Sequence, residues 1–257
     1  MVLSRREQGK LLDCLLQMGD LLLDCGAEIG RVEDTLSRMG AAYGAASTDV
    51  FVIPSIISIS MSFPGSESIT ETKRIHSYGN TDFYRLEKIN AMSRECSSAP
   101  IPLPELKQRL DKVANGRKPF PMVFWGSVLG GGAFAVFFGG SLWDGLVAAV
   151  FAALICLLQT NLGKTQLGIV ASNLMVSFMV GIGVGVVTKL VPGLHMDKIL
   201  IGDIMLLIPG LAMTNAIRNT LVGNTISGVV RLAETLIWAA SLAGGFMVAL
   251  VVVELIH

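Results

Sequence analysis

The polar residues of this 257-residue chain that could do chemistry fall in two places. Late in the chain, inside an otherwise apolar region, come Asp203, then Pro209-Gly210, then Thr214, Asn215 and Arg218. Proline removes a backbone donor and glycine relaxes the turn, so amides and carbonyls are freed within a helix. Broken helices of this kind often build substrate sites in transporters. Thr214 and Asn215 stand four and three residues before Arg218, so the three share a helical face. From it Arg218 can offer a guanidinium to a substrate carboxylate. The competing reading is that Arg218 only marks a cytoplasmic helix end. Gln159, Thr160 and Asn161 on one apolar run, Ser172, Asn173 and Ser177 on the next, and Arg231 and Glu234 early in the last are further polar residues at membrane depth. Arg231 and Glu234 are expected to pair with each other. Early in the chain, Gly26, Glu28, Arg31 and Glu33, with Asp34, form a second cluster. It reads either as a site or, more simply, as local ion pairs on a solvated helix face.

Other chemistries find little support. His76 is the one histidine of the polar half, without a second ligand nearby. No Ser/His/Asp or Cys/His arrangement stands out, so an enzyme is not expected. Leu162-Gly163-Lys164-Thr165 echoes the end of a phosphate loop, but Leu158 stands where a glycine is needed. With no haem or quinone ligand pair either, no cofactor and no metal are expected. Cys14, Cys25, Cys96 and Cys156 are scattered and read as free thiols.

Composition shows what must position these residues. Only 16% of residues are charged, against about a quarter in a soluble domain, and mean hydropathy is +0.61. Thirty of the forty charged residues precede position 119. The chain therefore divides into a polar domain, residues 1–116, and an apolar domain, residues 117–257. Each is near neutral, which leaves no electrostatic footprint for nucleic acid.

In the polar domain, Leu11, Leu12, Leu15, Leu16, Leu22 and Leu23 recur at helical spacing, and Cys25-Gly26 ends that helix. Ile29, Val32, Leu36, Met39 and Tyr43 mark a second. Ile57, Ile59, Met61 and Phe63 alternate with serines, a strand with one buried face. Pro64-Gly65 turns it into a return strand over 68–78. Thr81 or Asp82 caps a third helix to about Cys96, and a proline-rich break precedes a short helix at Leu106–Val113. The expected fold is a small α+β domain. The amphipathic first segment lacks the apolar core of a signal peptide, so this domain is expected to stay in the cytosol.

The apolar domain reads as a polytopic α-helical membrane domain in the cell (inner) membrane. About twenty apolar helical residues cross a bilayer, and five spans are expected, over 120–142, 145–163, 166–188, 199–217 and 229–253. Placing the polar domain inside puts Arg117, Lys118, Lys164, Arg218 and Arg231 in the cytoplasm, with only Lys189 and Lys198 outside. The odd span count then leaves His257 outside. Gly126/Gly130, Gly130-Gly131-Gly132 and Gly181/Gly185 read as helix-packing surfaces.

Several strings resemble a known family. Gly26-Ala27-Glu28 followed by Arg31-Val32-Glu33-Asp34 and Ala42-Tyr43-Gly44 looks like the start of the N-terminal domain of the threonine/serine exporter (ThrE) family. Trp143-Asp144-Gly145, the run from Ile208 through Pro209-Gly210 to Thr214-Asn215-Ala216-Ile217-Arg218, and Ser227-Gly228 with Arg231-Leu232-Ala233-Glu234 resemble its membrane domain. The family's long members fuse two halves, with about ten spans. A chain of this length resembles the YjjP-type half of a split exporter. The resemblance thus implies a second small membrane subunit, a homo-oligomer, or both. It implies export of small carboxylate-bearing metabolites, either threonine and serine or a dicarboxylate such as succinate. A sensor whose soluble domain binds a cytosolic ligand is the alternative.

Overall fold

The chain is described by a computed structural model that covers residues 3–75, 82–116, 120–162 and 167–255. His76, Thr81 and the Gly163-Lys164-Thr165 stretch lie outside the described residues. The elements run α1 (Arg5–Asp24), α2 (Ile29–Ala42), β1 (Ser47–Ile53), β2 (Ile56–Ser62), β3 (Ile69–Arg74), α3 (Phe83–Ser98) and α4 (Leu103–Asn115). They continue with α5 (Phe120–Phe137), α6 (Leu142–Leu162), α7 (Ile169–Leu190), α8 (Met196–Leu207), α9 (Gly210–Leu221) and α10 (Thr225–Leu255). Two compact units result: Met1–Arg117 with Leu211–Leu232, and Lys118–Gly210 with Ala233–His257.

In the first unit α1 is the central post. Ser4 and Glu7 close a capping box at its start, and its leucine stripe, from Leu11 to Leu23, is buried. Burying a leucine side chain contributes about 1.5–3 kcal/mol, so this stripe dominates the unit's core. Beside it lies an antiparallel sheet in the order β1-β2-β3. The period of two in β2 holds: Ile57, Ile59 and Met61 are buried. The serines turn outward, where Ser58 pairs with Thr72 and Ser60 with Thr70. The edge strand β1 was not expected. Its alternation is blurred because Phe51, a strong strand former, is exposed. The Tyr43 hydroxyl donates to the Ile101 carbonyl at 2.9 Å, tying the proline-rich break to the end of α2.

The second unit is built for lipid. Four helices, α5, α6, α7 and α10, are long and apolar enough to cross a membrane, and the broken pair α8 and α9 makes a fifth if it counts as one span. With the N-terminal sheet, this is a polytopic α-helical membrane protein carrying an α+β domain. Large apolar residues such as Leu129, Phe137 and Trp143 are exposed, as lipid-facing residues must be. Small residues draw the helices together: a Cβ on Gly202 of α8 would stand 2.6 Å from the Gly131 carbonyl of α5. Gly181 and Gly185 of α7 meet Ala249 and Val253 of α10 in the same way. The Gly126/Gly130 expectation needs correction. Nothing lies within 4 Å of a Cβ on Gly126, whereas one on Gly130 would meet Leu206 at 3.4 Å, and the expected Gly130-Gly131-Gly132 surface makes its closest contacts through Gly131 and Gly132.

Helix ends also differ from the sequence reading. The first span stops at Phe137, because Gly139 takes a φ of +91° and turns the chain. Asp144 was expected between spans; it sits in the first turn of α6, buried, and accepts from the Ser141 amide at 2.7 Å and the His195 amide at 2.7 Å. The fourth span, 199–217, is broken at Pro209-Gly210, as the sequence suggests, into two helices. Pro209 has no amide hydrogen and holds Ile208 in extended backbone, φ −62° and ψ 129°. Each half has 12 residues, about 18 Å of helix, well short of a bilayer core of about 30 Å. Residues 211–232 also group with the N-terminal unit, whereas a division at 116/117 assigns them to the membrane domain.

Candidate functional site

The site forms in the first unit, where the early cluster meets α9. α1 ends as the sequence suggests: Gly26 has a φ of +80°, its amide donates to the Leu23 carbonyl, and Ala27 reaches back to Leu22. The chain turns there and starts α2 with Glu28 at the N-cap. The Glu28 side chain caps nothing. Its carboxylate instead takes an ion pair from the Arg218 guanidinium of α9. Behind this pair lies a cavity of 140 Å³ lined by Gly26, Glu28 and Arg31 of the motif, Asn90 of α3, and Leu211 and Asn215 of α9. Thr35 and the apolar side chains of Leu22, Ala27, Phe83 and Leu86 complete the wall.

The floor is braced. Asp82 caps α3 through the Arg85 amide, and Arg85 reaches Asp24 at 2.5 Å and Asp82 at 3.2 Å. The Asp82 amide donates to the Cys25 carbonyl, so the turn that presents Glu28 is fixed from below. Below α9, Gly228 lets the first turn of α10 approach: a Cβ there would stand 2.8 Å from the Ala216 carbonyl. That accounts for the Ser227-Gly228 pair.

The site candidates separate under this geometry. Glu28, Arg31, Asn215 and Arg218 come together. The spacing argument placed Asn215 and Arg218 on one face, and both face this region. Thr214, in contrast, is exposed and does not line the cavity. Glu33 is structural: it accepts from the Val52 amide at 3.2 Å, and burial pushes its carboxyl above the usual range. Asp34 pairs with Arg38 one turn on, at 2.6 Å. Asp34 thus has a partner one turn away, whereas the partner of Glu28 is 190 positions away. Asp203, Pro209 and Asn173 belong to the second unit. The Asn173 backbone carbonyl accepts from Ser177, and Arg231 is buried in α10 with Glu234 half-buried one turn later. Sequence reasoning missed Phe83, Leu86 and Asn90 as wall residues, and His195 as the partner of Asp144. The only trace of the second pair was the Trp143-Asp144-Gly145 string.

Chemically, the site offers both signs of charge beside an amide side chain and an apolar wall. It can orient a small molecule carrying a carboxylate and a cation together, and among the described residues no group of three or more metal-ligating side chains appears.

The family model described as "Putative threonine/serine exporter", ThrE, matches residues 13–253. The chain belongs to the ThrE family. Two curated relatives are similar along nearly its full length. The "Threonine/serine exporter" of Corynebacterium glutamicum is 23% identical over 256 residues, covering 96% of this chain and 52% of the relative. The "Probable threonine/serine exporter" of Mycobacterium tuberculosis (strain ATCC 25618 / H37Rv) is 20% identical over 250 residues, covering 94% and 46%. This ThrE-family chain thus spans about half the length of the curated relatives it matches. No solved structure matches significantly. Two of the strings that suggested the family, the early Gly-Ala-Glu motif and the proline-glycine run, lie inside the matched range and supply the site's ion pair.

Proposed function

We propose that this ThrE-family chain is a subunit of a secondary exporter of small carboxylate-bearing metabolites, and that the Glu28–Arg218 cavity receives the substrate. The observation that carries the reading is the convergence of two of the family's strings, around Glu28 and around Asn215, on one cavity. The first unit then lies in the cytosol of a cell-membrane protein, on the side the basic residues favour. Because the chain covers half of its relatives, a second membrane subunit or a second copy completes the path. Transport is driven by an ion gradient, since no motor for nucleotide hydrolysis is in the sequence.

The paired charges favour one substrate class. A zwitterionic amino acid can place its ammonium at Glu28 and its carboxylate at Arg218 or Arg31. A dicarboxylate such as succinate would bring a second negative group against Glu28. The relatives' names, threonine/serine exporters, agree with the zwitterion.

Calorimetric titration of the purified full-length chain tests this. Serine and threonine should bind and succinate should not. Glu28→Gln should weaken amino-acid binding by about tenfold or more, the worth of a charged hydrogen bond. Binding that Glu28→Gln leaves untouched, or a preference for succinate, would remove the cavity from the account. Amino-acid binding without any export would instead favour a sensor.

A further inference from the structure

The membrane unit holds a buried acid that the cavity does not use. Asp203 lies on α8, seven residues or about 10 Å of helix rise beyond Met196. It is wholly buried, and neither carboxylate oxygen has a hydrogen-bond partner among the described residues. Ile199, Leu200 and Leu207, on the same buried face of α8, belong to the apolar core. The turn that carries it is where α8 closes on α5, with Gly202 against the Gly131 carbonyl and Ala135. Asp144, equally buried, shows the contrast: it is fully engaged by Ser141 and His195.

Among the described residues, no charge on the packed helices answers Asp203. α5 carries no titratable residue. On α6 these are Asp144, at the helix start, and the buried thiol of Cys156. On α7 there is Lys189, whose ammonium donates to the Val253 carbonyl. On α8 itself Asp197 and Lys198 pair with each other in the first turn. An ionised carboxylate held out of water with no partner is costly, and membrane interiors keep such residues for a task.

We propose that Asp203 is the proton carrier of the transport cycle, an inference that rests on the exporter reading. With α5 and α8 closed, as here, the carboxyl holds its proton. When the helices part towards the cytosol, the O–H bond breaks, the proton passes to water and the electron pair stays on the carboxylate. Opening to the other side lets a proton from water re-form the bond. The proton is released as substrate loads on the cytosolic side, and the emptied carrier, for which closure over a bare carboxylate is disfavoured, takes up a proton before it returns; one proton thus enters for each substrate load that leaves.

Two measurements on the full-length chain in lipid test this. The infrared difference between wild type and Asp203→Asn at neutral pH should show the carbonyl stretch of a protonated carboxyl in the wild type; a carboxylate band there would overturn the proposal. In proteoliposomes holding the complete exporter, Asp203→Asn should lose accumulation driven by a pH gradient yet keep exchange of labelled for unlabelled amino acid. Asp203→Glu should keep both. Accumulation by Asp203→Asn at the wild-type rate, or driven by a sodium gradient instead, would also overturn it. Absence of any exchange by the wild type would sink the exporter reading, while the infrared result would still decide whether Asp203 holds a proton.

Discussion

Export should fall to background in cells whose chain carries Arg218→Ala, while the protein still reaches the membrane in normal amount. The side chain of Arg218 is 60% exposed, and an exposed ion pair contributes only about 0–1 kcal/mol to stability. Loss of transport would therefore report on function rather than on folding. Removing the guanidinium takes away a charged hydrogen bond worth about 1.5–3 kcal/mol to a bound carboxylate, which is roughly a ten- to hundredfold loss in affinity. It also leaves Glu28 as a lone negative charge at the entrance. Arg218→Lys keeps the charge but not the planar fork, so it should retain partial activity. The charge swap, Glu28→Arg with Arg218→Glu, separates two roles. If the pair only latches α9 to α2, the swap restores export. If the residues bind substrate, the swapped pair stays inactive, and that is the expected result. Wild-type export by Arg218→Ala would rule out both roles.

Gly202→Val is expected to leave no stable membrane unit. The added Cβ would stand 2.6 Å from the Gly131 carbonyl oxygen, 2.9 Å from the Ala135 Cβ and 3.0 Å from the Ala135 amide nitrogen. Two of these three atoms are backbone, so no side-chain rotation relieves the clash and the helices must move apart. Overpacking a tight core costs about 1–3 kcal/mol and sometimes more; here the loss falls at the upper end, because α5, α6 and α8 meet at Gly131. Thermal unfolding in detergent should show a large drop in midpoint, or no monodisperse protein. Gly126→Val, one to two turns away on α5 and with nothing within 4 Å, is the matched control and should melt like wild type. Equal melting of all three would mean that α5 and α8 do not pack through these glycines.

Much of the architecture is legible in the sequence. Charge-free runs located α5, α6 and α7, and a long apolar run with only Arg231 and Glu234 in its first turns located α10, because a bilayer demands unbroken apolar helix. The serine alternation of β2 and the stop at Gly26 follow from strict local rules, a period of two and a left-handed turn. The fate of α9 did not. Leu211, Ile217 and Leu221 are as apolar as a span requires, and only Pro209 hinted that the helix ends. A break is legible; which unit the second half joins depends on contacts far away in the chain. The site had the same limit. Spacing along one helix placed Asn215 beside Arg218, but nothing in a single sequence links Arg218 to Glu28, 190 positions earlier. Phe83, Leu86 and Asn90 were hidden for a related reason. They enter the wall because Asp82 and Arg85 pin the start of α3 to the end of α1, an arrangement no motif records.

The most direct measurement is efflux of labelled threonine, serine and succinate from native cells with the chain, without it, and with Arg218→Ala in its place. Faster loss of threonine and serine only in cells with the wild-type chain, and succinate loss indifferent to it, is the predicted result. Equal efflux of the two amino acids from all three strains would contradict the account.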